Sequence, residues 1–253
     1  MIHIDNISAG YLNKKILKCI SCRIHKGDFF GIVGKNGVGK STLLKTICKL
    51  INPYSGNIFI NNKNINSFSN AKFARLISFL SQNEDTTVAF NVFKFIMLGR
   101  YPYMNIFKFF SSEDKIITKK IMNFLNIADL SKKKINELSN GEKQKVLIAQ
   151  TLVQETDIIL FDEPISYLDF DSQNCVLKKL KSLSKNYNKT IILTLHDLSS
   201  AFKFCNRLAL LDNCSIYNYE KSDIDVQNYI NTQKNSRLSY SDLNKFDVKI
   251  HKN

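Results

Sequence analysis

From Phe29 to Thr42 the chain reads FFGIVGKNGVGKST, an unbroken apolar run that enters a glycine-rich turn and then Lys-Ser-Thr. Such a run reads as a strand buried on both faces. Gly34-x-x-x-x-Gly39-Lys40-Ser41 behind it has the spacing of a phosphate loop, with a strand before and a helix after, the setting that pattern requires. Along Gly34, Lys35, Asn36, Gly37, Val38, Gly39 and on to Thr42, the glycines let backbone N–H groups curl around phosphate oxygens with no Cβ in the way. The helix that opens there turns its positive end to the same anion. Lys40 has the reach for β- and γ-phosphates, and the Ser41 hydroxyl suits Mg²⁺. The order strand, glycine loop, helix commits the chain to an α/β fold that holds a nucleoside triphosphate such as ATP.

Triphosphate chemistry also needs an acid near the metal and a group that polarises water. Ile158-Ile159-Leu160-Phe161-Asp162-Glu163 puts adjacent carboxylates at the end of an apolar strand, with Asp162 as the acid facing Mg²⁺ and Glu163 as the base. A second apolar strand, Thr190 to Leu195, ends in His196-Asp197. Parallel strands of one sheet deliver their C-terminal ends to one edge, so His196 is expected near the γ-phosphate beside Glu163.

Elsewhere the pattern places these motifs within one organisation. The first sixty residues read mostly as strands, and Ser41 to Ile51 is predicted as a helix stopped by Asn52-Pro53. Gly56 to Lys63 reads as a strand and turn, and Ala74 to Ser81 as a strand ending at Gln82. Thr87 to Leu138 is helical in period, with a start at Ser112-Glu113-Asp114. Helices at 141–154 and 172–185 then alternate with strands at 158–161, 190–195 and 207–211, which implies a largely parallel sheet. The expected division is one domain over 1–220 and a short polar appendage over 221–253.

Lys and Arg outnumber Asp and Glu by 36 to 22, a formal charge of +14, which raises nucleic acid or an acidic membrane as partners. The lysines are spread along the chain with no dominant basic block, so a solvated surface is the expectation and no nucleic-acid partner is expected. Cys19-Ile20-Ser21-Cys22 lies in a strand-like run without the second pair or His that a closed zinc site needs, and the six cysteines read as thiols in a reducing compartment. The opening Met1-Ile2-His3-Ile4-Asp5 has neither a basic leader nor a long apolar stretch, so no signal peptide is expected. The apolar stretch from Val88 to Leu98 is broken by Asn and Lys and is too short to span a bilayer.

Leu138-Ser139-Asn140-Gly141-Glu142-Lys143-Gln144 completes a set. With the phosphate loop before it and Asp162-Glu163 after it, the chain over residues 1–215 resembles the nucleotide-binding subunit of ATP-binding cassette (ABC) transporters. The resemblance implies a phosphate-loop NTPase core with an antiparallel β subdomain and an inserted helical subdomain, here about 87–155. It implies a head-to-tail homodimer in which Ser139 and Gly141 close over ATP held by the opposing copy. By the same resemblance Tyr11 stacks on adenine, Gln82 senses Mg²⁺ and couples to the membrane subunit, Asp169 meets the other copy's phosphate loop, and His196 senses the γ-phosphate. The family further implies integral membrane permease subunits, an extracytoplasmic substrate-binding protein reached indirectly, and a peripheral position on the cytoplasmic face of the membrane.

Two positions depart from the family pattern. Asn140 stands where glycine is usual, and Ile165 where Thr is common. Glycine suits a left-handed or crowded backbone, which Asn imitates best, so slower closure or hydrolysis is expected. Leu98-Gly99-Arg100-Tyr101-Pro102-Tyr103, in the helical region that docks on the membrane subunit, is similar to the segment found in ATPases of iron-siderophore, haem and cobalamin importers. An importer of another cargo such as metal ions, a soluble ABC ATPase working on nucleic acid or in cluster assembly, and a phosphate-loop kinase remain as alternatives. The last would leave the signature and Gln82 unexplained.

Overall fold

The computed structural model describes residues 1–12, 14–82, 90–104, 109–212 and 215–220. The start of the helical region at 87–89, Cys214 and the appendage 221–253 lie outside the described residues. The chain divides into two units, residues 1–67 with 190 onward, and residues 68–189.

In the first unit, β1 (Ile2–Tyr11), β2 (Lys14–Ile24), β4 (Ser55–Ile60) and β5 (Lys63–Asn64) form an antiparallel sheet in the order β2-β1-β4-β5. Its inward face carries Ile2, Ile4, Leu17, Ile20, Ile24, Ile58 and Ile60, all but sealed from solvent. Cys19 and Cys22 both fall on β2, but Cys19 is exposed and Cys22 buried. Burial pushes the Cys22 thiol up to about 12, which keeps it protonated and unreactive.

The same unit holds β3 (Phe29–Val33) between β8 (Thr190–Leu195) and β9 (Arg207–Asp212), both parallel to it, with β10 (Ser215–Glu220) antiparallel on the outer edge of β9. All five residues of β3 are buried, as an unbroken apolar run between two neighbours demands. Helix α1 (Lys40–Ile47) follows the glycine turn, and α7 (Leu198–Phe204) follows β8. Helix α1 ends earlier than its periodicity suggests. Lys49 takes a left-handed backbone (φ 61°), and Leu50 N–H reaches back to the Lys45 carbonyl, closing the helix before Pro53 is reached.

The second unit contains α2 (Asn70–Leu76), β6 (Ile77–Leu80), α3 (Val92–Met97), α4 (Ser112–Phe124), α5 (Asn140–Leu152), β7 (Ile158–Phe161) and α6 (Phe170–Tyr187). The expected strand from Ala74 is a correction: residues 74–76 finish α2, and only 77–80 pair, in parallel, with β7. Phe73 anchors that helix while Leu80, opposite Phe161, is the last paired residue. Helix α4 starts where the acidic Ser-Glu-Asp run placed it, with Ser111 and Asp114 capping it reciprocally.

Short 3₁₀ turns at Leu98–Tyr103, Ala128–Lys132 and Ile135–Glu137 connect the helices. The first is tied down from within. Arg100, 5% exposed, donates to Asp114 Oδ1, to Glu155 Oε2 and to the Val153 carbonyl, each at 2.8 Å, and lies over the Tyr103 ring. Tyr103 Oη donates to the Gln154 carbonyl, and Arg75 Nε to the Pro102 carbonyl. Burial would raise the Asp114 carboxyl, but hydrogen bonds from Arg100 and from the Ser111 N–H and hydroxyl outweigh it and hold the group below the usual carboxylate range. A carboxyl lowered on folding adds stability above its unfolded pKa and loses it as the pH falls through the folded one. Arg100→Met strands the Asp114 charge and is expected to cost about 3–5 kcal/mol. Urea unfolding checks it: the wild-type advantage should shrink as the pH is lowered below about 4.

Candidate active site

Each unit carries part of the chemistry. In the first, the register Val33↔Leu195 and Val33↔Leu210 brings the ends of β3, β8 and β9 level, so Gly34 and His196 leave neighbouring strands at one edge. The turn at Gly34 is so close to β9 that a Cβ there would sit 2.4 Å from the Leu211 carbonyl oxygen, a backbone atom with no rotamer to yield. Gly39 caps α1 at φ 113°, where a Cβ would run into Leu17 and Ile16 of β2. Lys35, Asn36 and Gly37 form the exposed rim of the loop, whereas Gly39, Lys40 and Thr42 are buried and Val38 and Ser41 half-buried.

The Lys40 ammonium is 5% exposed and donates to the carbonyls of Gly34 at 2.8 Å and Lys35 at 3.1 Å, which aims it back into the loop. Among the described residues, apart from its chain neighbours, nothing lies within 4 Å of where a Cβ on Gly37 would stand, so the rim is open there. The loop therefore fits a polyphosphate: an oriented cation, an open rim, and a helix N-terminus behind it. Tyr11 ends β1, exposed, two residues past Ala9, which pairs with Leu17. Asp197 accepts from the N–H groups of Ser199 and Ser200, capping α7 and turning the chain directly after the exposed His196.

In the second unit, β6 and β7 pair in register to Leu80↔Phe161, and Asp162 N–H donates to the Leu80 carbonyl. This brings the two strand ends together, and Gln82 Nε2 donates to Glu163 Oε2 at 2.6 Å. Asp162 is 1% exposed and Glu163 8%, a pair of acids at the top of a sealed strand. Among the described residues no cluster of three or more His, Cys, Asp or Glu is assembled.

Ser139 is the N-cap of α5. Its Oγ accepts from Glu142 N–H at 3.2 Å, and Glu142 Oε2 accepts from Ser139 N–H at 2.8 Å. That Ser139 N–H, with help from the Ser139 hydroxyl and Lys133, holds the Glu142 carboxyl below its usual range. The cap fixes the Ser139 hydroxyl in place, accepting from the Glu142 N–H and held against the Glu142 carboxylate. The left-handed backbone considered for Asn140 is not what the structure has. Asn140 is the first residue of α5 in a right-handed backbone, and Gly141 behind it has only ordinary contacts in prospect, with Tyr167 O 3.4 Å from a notional Cβ. No left-handed geometry at 140 calls for glycine.

Asp169 caps α6, and the hydrogen bond from Ser172 N–H holds its carboxyl below the usual range. Several residues that serve this region escaped the sequence reading. Ser166 and Gln173 bind carbonyls of the loop after Glu163, and Gln144 reaches the same loop from α5. The Ser-x-x-Glu box at 139–142 had a legible spacing; the amide contacts had none.

A strand, phosphate loop and helix in one unit, with a paired-acid strand end and a capped signature helix in the other, define a nucleoside triphosphatase cassette. The family model described as ABC transporter matches residues 17–166, and the chain belongs to that family. It is 34% identical over 207 residues to the achromobactin transport ATP-binding protein of Dickeya dadantii, spanning 82% of this chain and 77% of the relative. It is 33% identical over 207 residues to the ferric enterobactin transport ATP-binding protein of Escherichia coli, spanning 82% and 76%. Among solved structures, a dimeric ATP-binding cassette in a post-hydrolysis state with ADP and Pi bound aligns with TM-score 0.75 and 26% identity over 87% of this chain and 99% of that one. The chain is thus an ATPase of the transporter class. Among the described residues no helix is long and apolar enough to cross a membrane.

Asn140→Gly is expected to leave the ATPase rate unchanged or raise it, with stability altered by no more than a few tenths of a kcal/mol. Steady-state phosphate release checks this; a severe loss would assign the Asn140 side chain a role of its own.

Proposed function

We propose that this chain is the ATP-hydrolysing subunit of an importer that carries a metal chelate, an iron-siderophore complex first and haem or cobalamin as the other members of the class, across the cytoplasmic membrane. The observation that carries the cargo class is the likeness to the achromobactin and ferric enterobactin transport subunits over four-fifths of the chain. The Leu98–Tyr103 segment agrees with it. Two copies work as a homodimer at the cytoplasmic face, the helical subdomain of about 87–155 resting on integral permease subunits, with an extracytoplasmic binding protein beyond them. The segment 221–253 is an appendage to the ATPase domain 1–220.

In this reading Tyr11 stacks on adenine, and the backbone of Gly34 to Thr42 with the Lys40 ammonium holds the phosphates. Ser41, Asp162 and Gln82 would hold Mg²⁺, which when bound neutralises phosphate charge. Glu163 takes the proton of the attacking water and His196 holds the γ-phosphate. Ser139 and Gly141 complete the nucleotide site of the second copy, and Asp169 meets that copy's phosphate loop. The protein's contribution is positioning and charge stabilisation, the main source of catalysis in phosphoryl transfer.

Glu163→Gln is expected to cut hydrolysis at least a hundredfold while a dimer accumulates on size exclusion in ATP. Normal turnover in that variant would remove Glu163 from its role. Affinity capture from detergent extract should bring down a polytopic membrane protein. Stimulation by DNA or RNA with a steep salt dependence would favour the nucleic-acid reading instead. Cells lacking the chain should lose siderophore-iron uptake; intact siderophore uptake with loss of haem or cobalamin uptake would move the cargo within the class.

A further inference from the structure

Glu163 is not a glycine, yet its backbone sits at φ 53°, the left-handed region that costs an ordinary residue about 1–2 kcal/mol. Such a conformation persists where its surroundings over-determine it. Side chains supply the restraint. The Glu163 carbonyl accepts from Ser166 Oγ at 3.0 Å, the Pro164 carbonyl from Gln144 Nε2 at 2.8 Å, and the Ile165 and Leu168 carbonyls from Gln173 Nε2 at 3.1 and 2.9 Å. Ser166 lies in the loop itself and Gln173 in the helix that continues it, so both travel with the loop. Gln144 does not. It belongs to α5, one turn past Ser139, and its side chain is buried at 7% exposure.

Two further contacts join the same pieces. A Cβ on Gly141 would lie 3.4 Å from the Tyr167 carbonyl and 3.6 Å from Leu168, and Lys145 Nζ donates to Ser172 Oγ at 3.3 Å. The start of α5 and the loop from Glu163 to Ser172 therefore form one block, and Gln144 is the buried hydrogen bond within it.

We propose that Gln144 is a positioning residue for Glu163: its amide ties the signature helix to the loop that carries the base, so that engagement of Ser139 and Gly141 with nucleotide on the second copy is transmitted to this copy's own Glu163. The transmission rests on the homodimer reading above; the tether itself does not. The chemistry of the residue fits the task. A neutral amide donates to a buried carbonyl without adding charge beside Asp162 and Glu163. Methionine, of the same reach, fills the space and donates nothing, leaving the Pro164 carbonyl unsatisfied.

The test uses the full chain with Gln144→Met, read in three ways. Hydrogen exchange in the nucleotide-free protein should quicken about tenfold at the amides of 165–168, the order expected for one lost buried hydrogen bond, with the amides of α4 unchanged. Binding of a fluorescent ATP analogue without divalent metal should stay within about twofold, since the phosphate loop is untouched. Steady-state turnover should fall about tenfold at unchanged half-saturation, and the Hill coefficient should drop toward one. Unchanged exchange and unchanged turnover in a folded variant overturn the proposal, as does a parallel loss of binding, turnover and melting temperature. Should Gln144→Met not fold, Gln144→Asn keeps the amide and shortens its reach; it should show the same split at smaller size, and normal exchange in it overturns the tether. Ser139→Ala in the same assay separates the two claims. If Ser139→Ala and wild type hydrolyse alike as monomers, the homodimer reading fails while the exchange result still decides the tether.

Discussion

A chain that grips a polyphosphate must reverse direction at the end of a strand it has sealed from water, and everything else in the first unit follows from that turn. β3 is buried along its length because β8 and β9 flank it, and that same crowding puts the Leu211 carbonyl where any Cβ on Gly34 would have to stand. Only a glycine closes the bend. The bend in turn presents the Gly34 and Lys35 carbonyls to the Lys40 ammonium, which orients the cation before any ligand arrives. Pre-orientation of this kind spares the reorganisation that a solvent-exposed lysine would undergo on binding.

The second unit meets a similar turn at the end of β7 by other means. In the proposed role Glu163 is an acid, so glycine is not an option there. The left-handed backbone is instead held by amides and a hydroxyl on four successive or near-successive carbonyls. One turn is made cheap by deleting a side chain, the other is made rigid by recruiting several. The second solution makes the backbone at Glu163 dependent on neighbouring side chains, one of which, Gln144, belongs to the helix capped by Ser139.

This contrast explains what the sequence disclosed. Gly34, Gly39, Lys40 and the Asp162-Glu163 pair announce themselves because their chemistry requires fixed residue types at fixed spacing, and β3, β7, β8 and α5 follow from the periodicity around them. The short helix over residues 70–76 was hidden because its last turn runs straight into β6 with no glycine or proline between them. The tethers from Gln144 and Gln173 were hidden for a different reason. A glutamine within a helix has no local signature, and its partner carbonyls lie 20 residues away for Gln144 and 8 and 5 away for Gln173. Asn140 misled in the opposite sense, since a glycine usual at a position invites a conformational reason that the helical backbone there does not supply.

Leu98 to Tyr103 shows that a string similar to one branch of a family is not thereby a string of contact residues. Arg100 and Tyr103 face inward, the guanidinium over the ring, and bind the ends of α4 and α5 together through Asp114, Val153 and Gln154. Tyr101 is 63% exposed and is the member of the set with a free face. The segment is therefore first a clamp that makes the helical region stiff, and a stiff body is what a docking surface needs if force is to pass through it. With Arg100 clamping one end of α5 and Gln144 tethering the other, that helix is fixed at both ends within the second unit. Parting residue 100 from the end of α5 would break the buried hydrogen bond from Arg100 to the Val153 carbonyl, while the buried ion pair with Asp114 holds the same guanidinium to α4.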